Sequence, residues 1–413
     1  MPDAGPADTQ CFAYDALQRM TEAWTATDTC ASTPSKATVG GPQPYWQSYG
    51  FDAVGNRTKL VDRDPSGDTT KDVTRTYAYP GAGKPQPRAL TKSESKGPRG
   101  TSADTFAYDA TGNMTIRQTG GNVQTMDYDT EGNLTKITEA GAGTEYLYGP
   151  DGQRLIHRAP HGSTTLFLSD TELTVDKAGK LSATRMYALP DGNSVVRTAT
   201  EGDGTNGRGT EDVVLNDHHG TGQTAFGLDV AGAPVTRRLL KPFGEERGEG
   251  GPAVLPGKRG FVGGRENEET ELTQLGARDY DPALGRFTTT DPIIDFGNPQ
   301  QMNPYAYANN APATEEDASG LFFPALVVGA VWAYRGYKAY TAVKKIKKAV
   351  KVVKKVKQAV KPKQAKKPAK KASKPAAKKR ASVKRAQTTR KATQKKAQRS
   401  PARPSRAPRR GPR

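Results

Sequence analysis

Histidine and cysteine are nearly missing from this 413-residue chain, which has four of the first and two of the second. Their spacing matches no zinc-ligand pattern, so neither a metal site nor a cofactor is expected. Cys11 and Cys30 leave two readings open: a disulfide, in an oxidising compartment, or two free thiols. Long apolar runs are also scarce. Leu321 to Tyr334 gives 14 such residues, short of the roughly 20 that span a bilayer. Extending it to Val343 brings in Arg335 and Lys338, so a buried strand or helix is the expected form. The opening MPDAGPADTQ lacks the basic and apolar regions of a signal peptide.

The most informative absence is acid. All 43 Asp and Glu precede Phe322, while 32 of the 62 Lys and Arg follow Leu321. The chain up to Leu321 is therefore at −13 and the remainder at +32. Beyond Leu321 there is no Asp, Glu, His or Cys, which removes the usual metal ligands and general bases. No catalytic domain is expected there. Between Lys338 and Lys361, Val343, Ile346, Val350, Val353, Val356 and Val360 share one side of a helical wheel. Lysines crowd the other, which predicts a basic amphipathic helix suited to an anionic membrane or an acidic partner. From Pro362 onward, Lys, Ala, Pro and Arg dominate and no aromatic occurs. That composition predicts a disordered tail able to neutralise nucleic-acid phosphates without reading bases.

What the chain does have is repetition. FAYDALQRMTEA, YGFDAVGNRTKLVD, FAYDATGNMTIRQT, MDYDTEGNLTKITE and YLYGPDGQRLIHRA recur between Phe12 and Arg158 or just beyond. Tyr108, Tyr128 and Tyr148 recur every 20 residues, the mark of a repeat array. Each Asp-x-x-Gly-Asn reads as a tight turn, with Gly supplying φ > 0. The flanks, such as Leu134-Thr135-Lys136-Ile137-Thr138, read as alternating half-buried strands. Each aromatic is expected to stack on its copy in the next unit. One hairpin is unstable alone, but a stack buries a continuous face. These tyrosines and aspartates are expected to be scaffold. His218 and His219, with His157 and His161, find no supporting Cys or carboxylate spacing, so a structural role is expected for them too.

Gly276 to Leu321 is different: a dense run of Asp-Pro, Leu-Gly, Asn-Pro and Ser-Gly turns with interleaved Tyr280, Phe287, Tyr305 and Tyr307. It reads as a plug of turns with a small aromatic core. Arg278, Asp291 and Asp317 stand out within it. Two carboxylates beside a peptide bond can divide the roles of base and acid. A guanidinium can steady an oxyanion or keep one carboxylate ionised. Turn caps and surface ion pairs are the plainer readings of the same residues.

The run GARDYDPALGRFTTTDP, then NPYAYANNAP, closed by DASGL, resembles the repeat-associated core of the RHS/YD-repeat proteins. These include bacterial polymorphic toxins and the C subunits of insecticidal toxin complexes. The repeats resemble that family's YD repeat. DHHGT at 217–221 and PFGE at 242–245 resemble further segments of it. The resemblance implies a mainly β chain. In this reading 1–158 is an antiparallel YD-repeat hairpin array, a partial β-cocoon or solenoid, continued through 159–275. An autoproteolytic plug fills 276–321, an apolar segment and basic helix 322–361, and the disordered tail 362–413. It implies aspartyl-type self-cleavage by Asp291 and Asp317, supported by Arg278, at the Leu321–Phe322 bond. Ala318 stands where the family has proline. That loses roughly 0.4–1 kcal/mol of preorganisation and predicts slower cutting or none. The expected partners are the chain's own C-terminal segment as cargo, an immunity protein, and nucleic acid or anionic membrane through the tail. The chain is expected to be a monomer, secreted or cell-surface as part of a longer protein. Two alternatives remain: a non-catalytic scaffold whose tail binds nucleic acid, and a shell delivering a membrane-perturbing cationic peptide.

Overall fold

A computed structural model describes residues 7–81, 83–228, 234–248, 253–293 and 297–321. The expected apolar segment and basic helix of 322–361 and the expected disordered tail of 362–413 lie outside the described residues.

Nineteen strands, from Gln10–Tyr14 to Thr236–Arg237, form one antiparallel meander in which each strand pairs with the next. Pairing continues through residue 158 without a break. The turns work as the repeat predicts. Asp109 Oδ1 accepts from the backbone N–H groups of Thr111 and Asn113, both at 2.9 Å, and Oδ2 accepts from Asn113 Nδ2 at 3.0 Å. Asp52 and Asp129 repeat the pattern.

The strands do not alternate as simply as the sequence suggests. Tyr108 pairs with Met114 but Ala107 with Ile116, so Thr115 is an extra, bulged residue. The same shift bulges Thr21, Thr58, Thr135, Leu155 and Gln223 in their own hairpins. Each bulge resets the phase, so buried residues fall three apart: Met114 and Arg117, Leu134 and Ile137, Arg57 and Leu60. A bulge also bends its strand and increases the local twist. One at each of these turns adds bend and twist to the sheet at that point.

Nor do the repeat tyrosines stack on their copies. The Tyr128 hydroxyl donates to Met114 O at 2.9 Å and the Tyr148 hydroxyl to Leu134 O at 2.8 Å, each reaching the preceding hairpin. A polar phenol over a half-buried backbone gains more from that carbonyl than from a ring face.

The face that carries Met114, Leu134 and Ile137 is covered by residues 240–248, 253–293 and 297–321. A second sheet lies there: Arg265–Asn267, Leu272–Leu275, Arg278–Asp281 and Arg286–Phe287, antiparallel in sequence order. One hydrophobic cluster joins Met20, Met114, Leu134 and Ile137 of the wall to Phe243, Tyr280, Phe287 and Tyr307 inside it. Among the described residues no pairing joins the first strand to the nineteenth. Instead buried Arg247, just past the array, pairs with Asp8, just before it, with Nη1 3.0 Å from Oδ1.

Cys11 and Cys30 form a disulfide, with Cα atoms 5.7 Å apart, which settles the question their sequence left open. Closing a loop of this length predicts that reduction, or Cys30→Ser, costs about 3 kcal/mol. Urea unfolding with and without reductant measures it. The turn aspartates predict an acid response. Burial alone would raise Asp109, but hydrogen bonds from Thr111 and Asn113 outweigh it and hold the carboxyl below its ordinary 3.8. A depressed folded-state value contributes stability above the unfolded value and loses it as pH falls through the folded one. Asp109→Ala should lower the urea midpoint at pH 7, and the gap from wild type should close as pH drops below about 4.

Candidate active site

All four residues of Arg278–Asp281 are buried, although three are charged. Burial on that scale requires partners, and each charge has one. Asp279 and Asp281 point towards the wall. Arg154 Nη2 is 2.9 Å from Asp279 Oδ2, and Arg117 Nε is 2.7 Å from Asp281 Oδ2. Arg278 and Tyr280 point the other way, into the plug.

Arg278 is the hub. Its Nη2 lies 2.8 Å from Asp291 Oδ2 and 2.9 Å from Asp317 Oδ2. Its Nη1 donates to Pro304 O at 2.9 Å, and its Nε donates to Gly320 O at 2.5 Å. The guanidinium also sits 3.5 Å from the centre of the Phe287 ring. Burial pushes this guanidinium down from the usual arginine range, against the pull of Asp291 and Asp317. An arginine has margin enough to stay charged at neutral pH regardless.

The two carboxylates are held from other directions as well. Asp291 Oδ1 accepts from Ile293 N at 2.8 Å, and Asp291 N donates to Pro304 O at 3.0 Å. Asp317 Oδ1 accepts from Leu321 N at 2.8 Å and from Ser319 Oγ at 3.1 Å. Leu321 is buried at 1% exposure, whereas Ala318, at the family's proline position, faces solvent. Gly320 takes φ 63° with its α-carbon against the inner sheet, where an added Cβ would stand 2.4 Å from Leu275 O. No other residue type fits that approach without moving the loop. Arg278, Asp291, Asp317 and Leu321 therefore converge at one place. The partner across the Leu321 peptide, Phe322, lies outside the described residues. Solvent reaches the hub: an open cleft of about 570 Å³, lined by Asp109, Asp129, Glu131, Ala277, Arg278 and Thr290, runs beside it.

The model of one family, described as the teneurin YD-shell, matches residues 212–313. The tRNA nuclease WapA of Bacillus subtilis is 28% identical over 243 residues, 56% of this chain and 10% of that protein. Toxin protein Tse5 of Pseudomonas aeruginosa is 36% identical over 115 residues, 25% of this chain and 8% of that protein.

This chain is an RHS/YD-repeat protein.

It spans about a tenth of the length of these relatives. Among solved structures, the RHS/YD-repeat chain matches TcdB2-TccC3 with a TM-score of 0.50 at 16% identity, over 76% of this chain and 17% of that one. At that identity the likeness concerns the fold.

The turns of this RHS/YD-repeat wall double as sockets for the plug. Gly55 O accepts from Asn303 Nδ2 at 3.0 Å and Asn310 Nδ2 at 3.1 Å, and Gly112 O accepts from the Tyr305 hydroxyl at 2.8 Å. Gly112 has φ 91°, and a Cβ there would meet that hydroxyl at 2.7 Å. His219 Nδ1 lies 3.2 Å from Glu316 Oε2, which ties the last repeat turn to the loop bearing Asp317. Sequence reasoning passed over the inward arginines. Their signal was present in the repeat itself: Arg57 and Arg154 occupy the place where other copies carry Met20, Met114 and Leu134. It also passed over Ser319, which follows the site's own spacing but carries no motif.

Arg117→Met would leave Asp281 buried without its cation. A cost of about 3–5 kcal/mol is expected, largely recovered by adding Asp281→Leu. Urea unfolding of the single and double variants tests this.

Proposed function

We propose that this chain is the shell and release end of a polymorphic toxin, which encloses its own C-terminal segment and cuts it free after Leu321. The observation that carries the reading is the single nitrogen of Arg278 shared by Asp291 and Asp317 beside the Leu321 backbone. In that arrangement one carboxylate takes a proton from a water as its oxygen attacks the Leu321 carbonyl carbon. The other, protonated, gives a proton to the Phe322 nitrogen as the C–N bond breaks. The products are a Leu321 carboxylate and a free amine on Phe322. Arg278 between the acids offsets their repulsion, which lets them stand close enough to divide the work. Its hold on Gly320 O fixes the approach of the chain to the acids.

The names of the relatives, a tRNA nuclease and a toxin, support a toxin setting. In this reading the protein acts outside the producing cell as part of a longer chain, with an immunity protein guarding that cell. The segment after Leu321 carries no acid, histidine or cysteine. That favours, as a second reading for the cargo, a polycation that binds nucleic acid or anionic membrane over an enzyme.

Intact mass of the purified full chain is expected to show two pieces divided after Leu321, and Asp291→Asn and Asp317→Asn should each leave one full-length species. Equal cutting by the Asp291→Asn variant and the parent would overturn the assignment of the acids.

A further inference from the structure

The Leu321 carbonyl oxygen has a donor that the two acids and the arginine do not supply. Ser319 Oγ lies 2.9 Å from it. Ser319 Oγ also accepts from Leu321 N at 3.1 Å and stands 3.1 Å from Asp317 Oδ1. A serine hydroxyl has one hydrogen and can turn it towards either acceptor. Before attack, an ionised Asp317 competes for it. Once water adds to the carbonyl carbon, the Leu321 oxygen carries the new negative charge, and the hydrogen gains more by turning there.

We propose that Ser319 is a catalytic residue of the cleavage, the donor that stabilises the oxyanion formed on Leu321. The inference rests on the self-cleavage reading above and adds to it the group that receives the developing charge. Among the described backbone atoms beside the cut, Gly320 O accepts from Arg278, Leu321 N donates to Asp317 and Ser319, and Leu321 O accepts from Ser319. The charge balance follows. Water supplies a hydroxyl to the carbon and a proton to one carboxylate. The carbonyl π pair moves to the oxygen, where the Ser319 hydrogen meets it. The pair returns as the C–N bond breaks and the nitrogen takes its proton from the other carboxyl. Ser319 donates a hydrogen bond throughout and is not consumed. A preorganised donor aimed at such an oxygen contributes because it need not reorient from solvent. Buttressing explains its position: Ser319 O accepts from Ala277 N at 2.9 Å, which pins this residue to the inner sheet.

The test follows the full chain made by cell-free synthesis, with the cut fraction read by intact mass over time, for wild type, Asp291→Asn, Ser319→Ala and Ser319→Thr. Removing one such donor is expected to slow cutting about 100-fold. Ser319→Thr, which keeps the hydroxyl, should stay within about fivefold of wild type. Ser319→Ala also removes a hydrogen bond to Asp317, so its pH profile is read at its own optimum, where the plateau should still lie about 100-fold below wild type. A profile displaced along the pH axis with the wild-type plateau recovered would mean that Ser319 acts only through Asp317, and would overturn the proposal. So would Ser319→Ala cutting at the wild-type rate while Asp291→Asn is silent, which leaves the acids' role standing. Ser319→Thr as slow as Ser319→Ala, in a protein whose unfolding midpoint is unchanged, would also overturn it. No cutting by wild type would remove the self-cleavage reading and this inference together.

Discussion

The molecule depends on buried ion pairs between a wall and what it encloses. A hairpin array has one apolar face to hide, and hydrophobic contact alone would let a filler slide along it. Arg117 on Asp281 and Arg154 on Asp279 forbid sliding, because either charge left alone in the interior is costly. For Arg117 the effect on the cation is visible: burial alone would lower it, yet Asp281 and Glu271 raise it above the usual range. The pairs thus work as registry pins. They place the strand Arg278–Asp281 at one height against the wall, and every distance in the site follows from that height.

Alternation in that strand divides its labour. Asp279 and Asp281 face the wall and anchor it. Arg278, one residue over, faces inward and gathers Asp291 and Asp317 from two separate turns. Neither acid is positioned by its own local structure alone. Asp291 leans on Pro304, and the loop from Asp317 to Leu321 leans on Ala277 and Leu275 through Ser319 and Gly320. The site is assembled from four segments, held by short polar contacts in a setting that keeps water to one side.

Much of this was legible in the sequence, and the rest was hidden for physical reasons. The 20-residue recurrence of Tyr108, Tyr128 and Tyr148 announces stacked hairpins, and Asp-x-x-Gly-Asn announces their turns. The bulged Thr115 and Thr135 do not announce themselves, since a threonine suits a regular strand equally well. The strand pairing reveals them, and the burial of Met114 with Arg117, and of Leu134 with Ile137, follows from it. The partner of Arg117 lies 164 residues away, where no local pattern can point. Arg278, Asp291 and Asp317 were found by resemblance; their spacing alone reads as turn caps and a surface pair. The link between Cys11 and Cys30 was one of two readings, because sequence sets their separation along the chain and not their distance in space.

The bulges have a consequence for how such a wall can change in size. In six of the hairpins the extra residue beside the turn bends the strand locally. Duplicating or deleting a unit therefore alters the extent of the wall while leaving the bend of each remaining unit as it was. Resizing such a wall by whole repeats would then require matching afresh only the residues that grip what lies against it, such as Arg117 and Arg154.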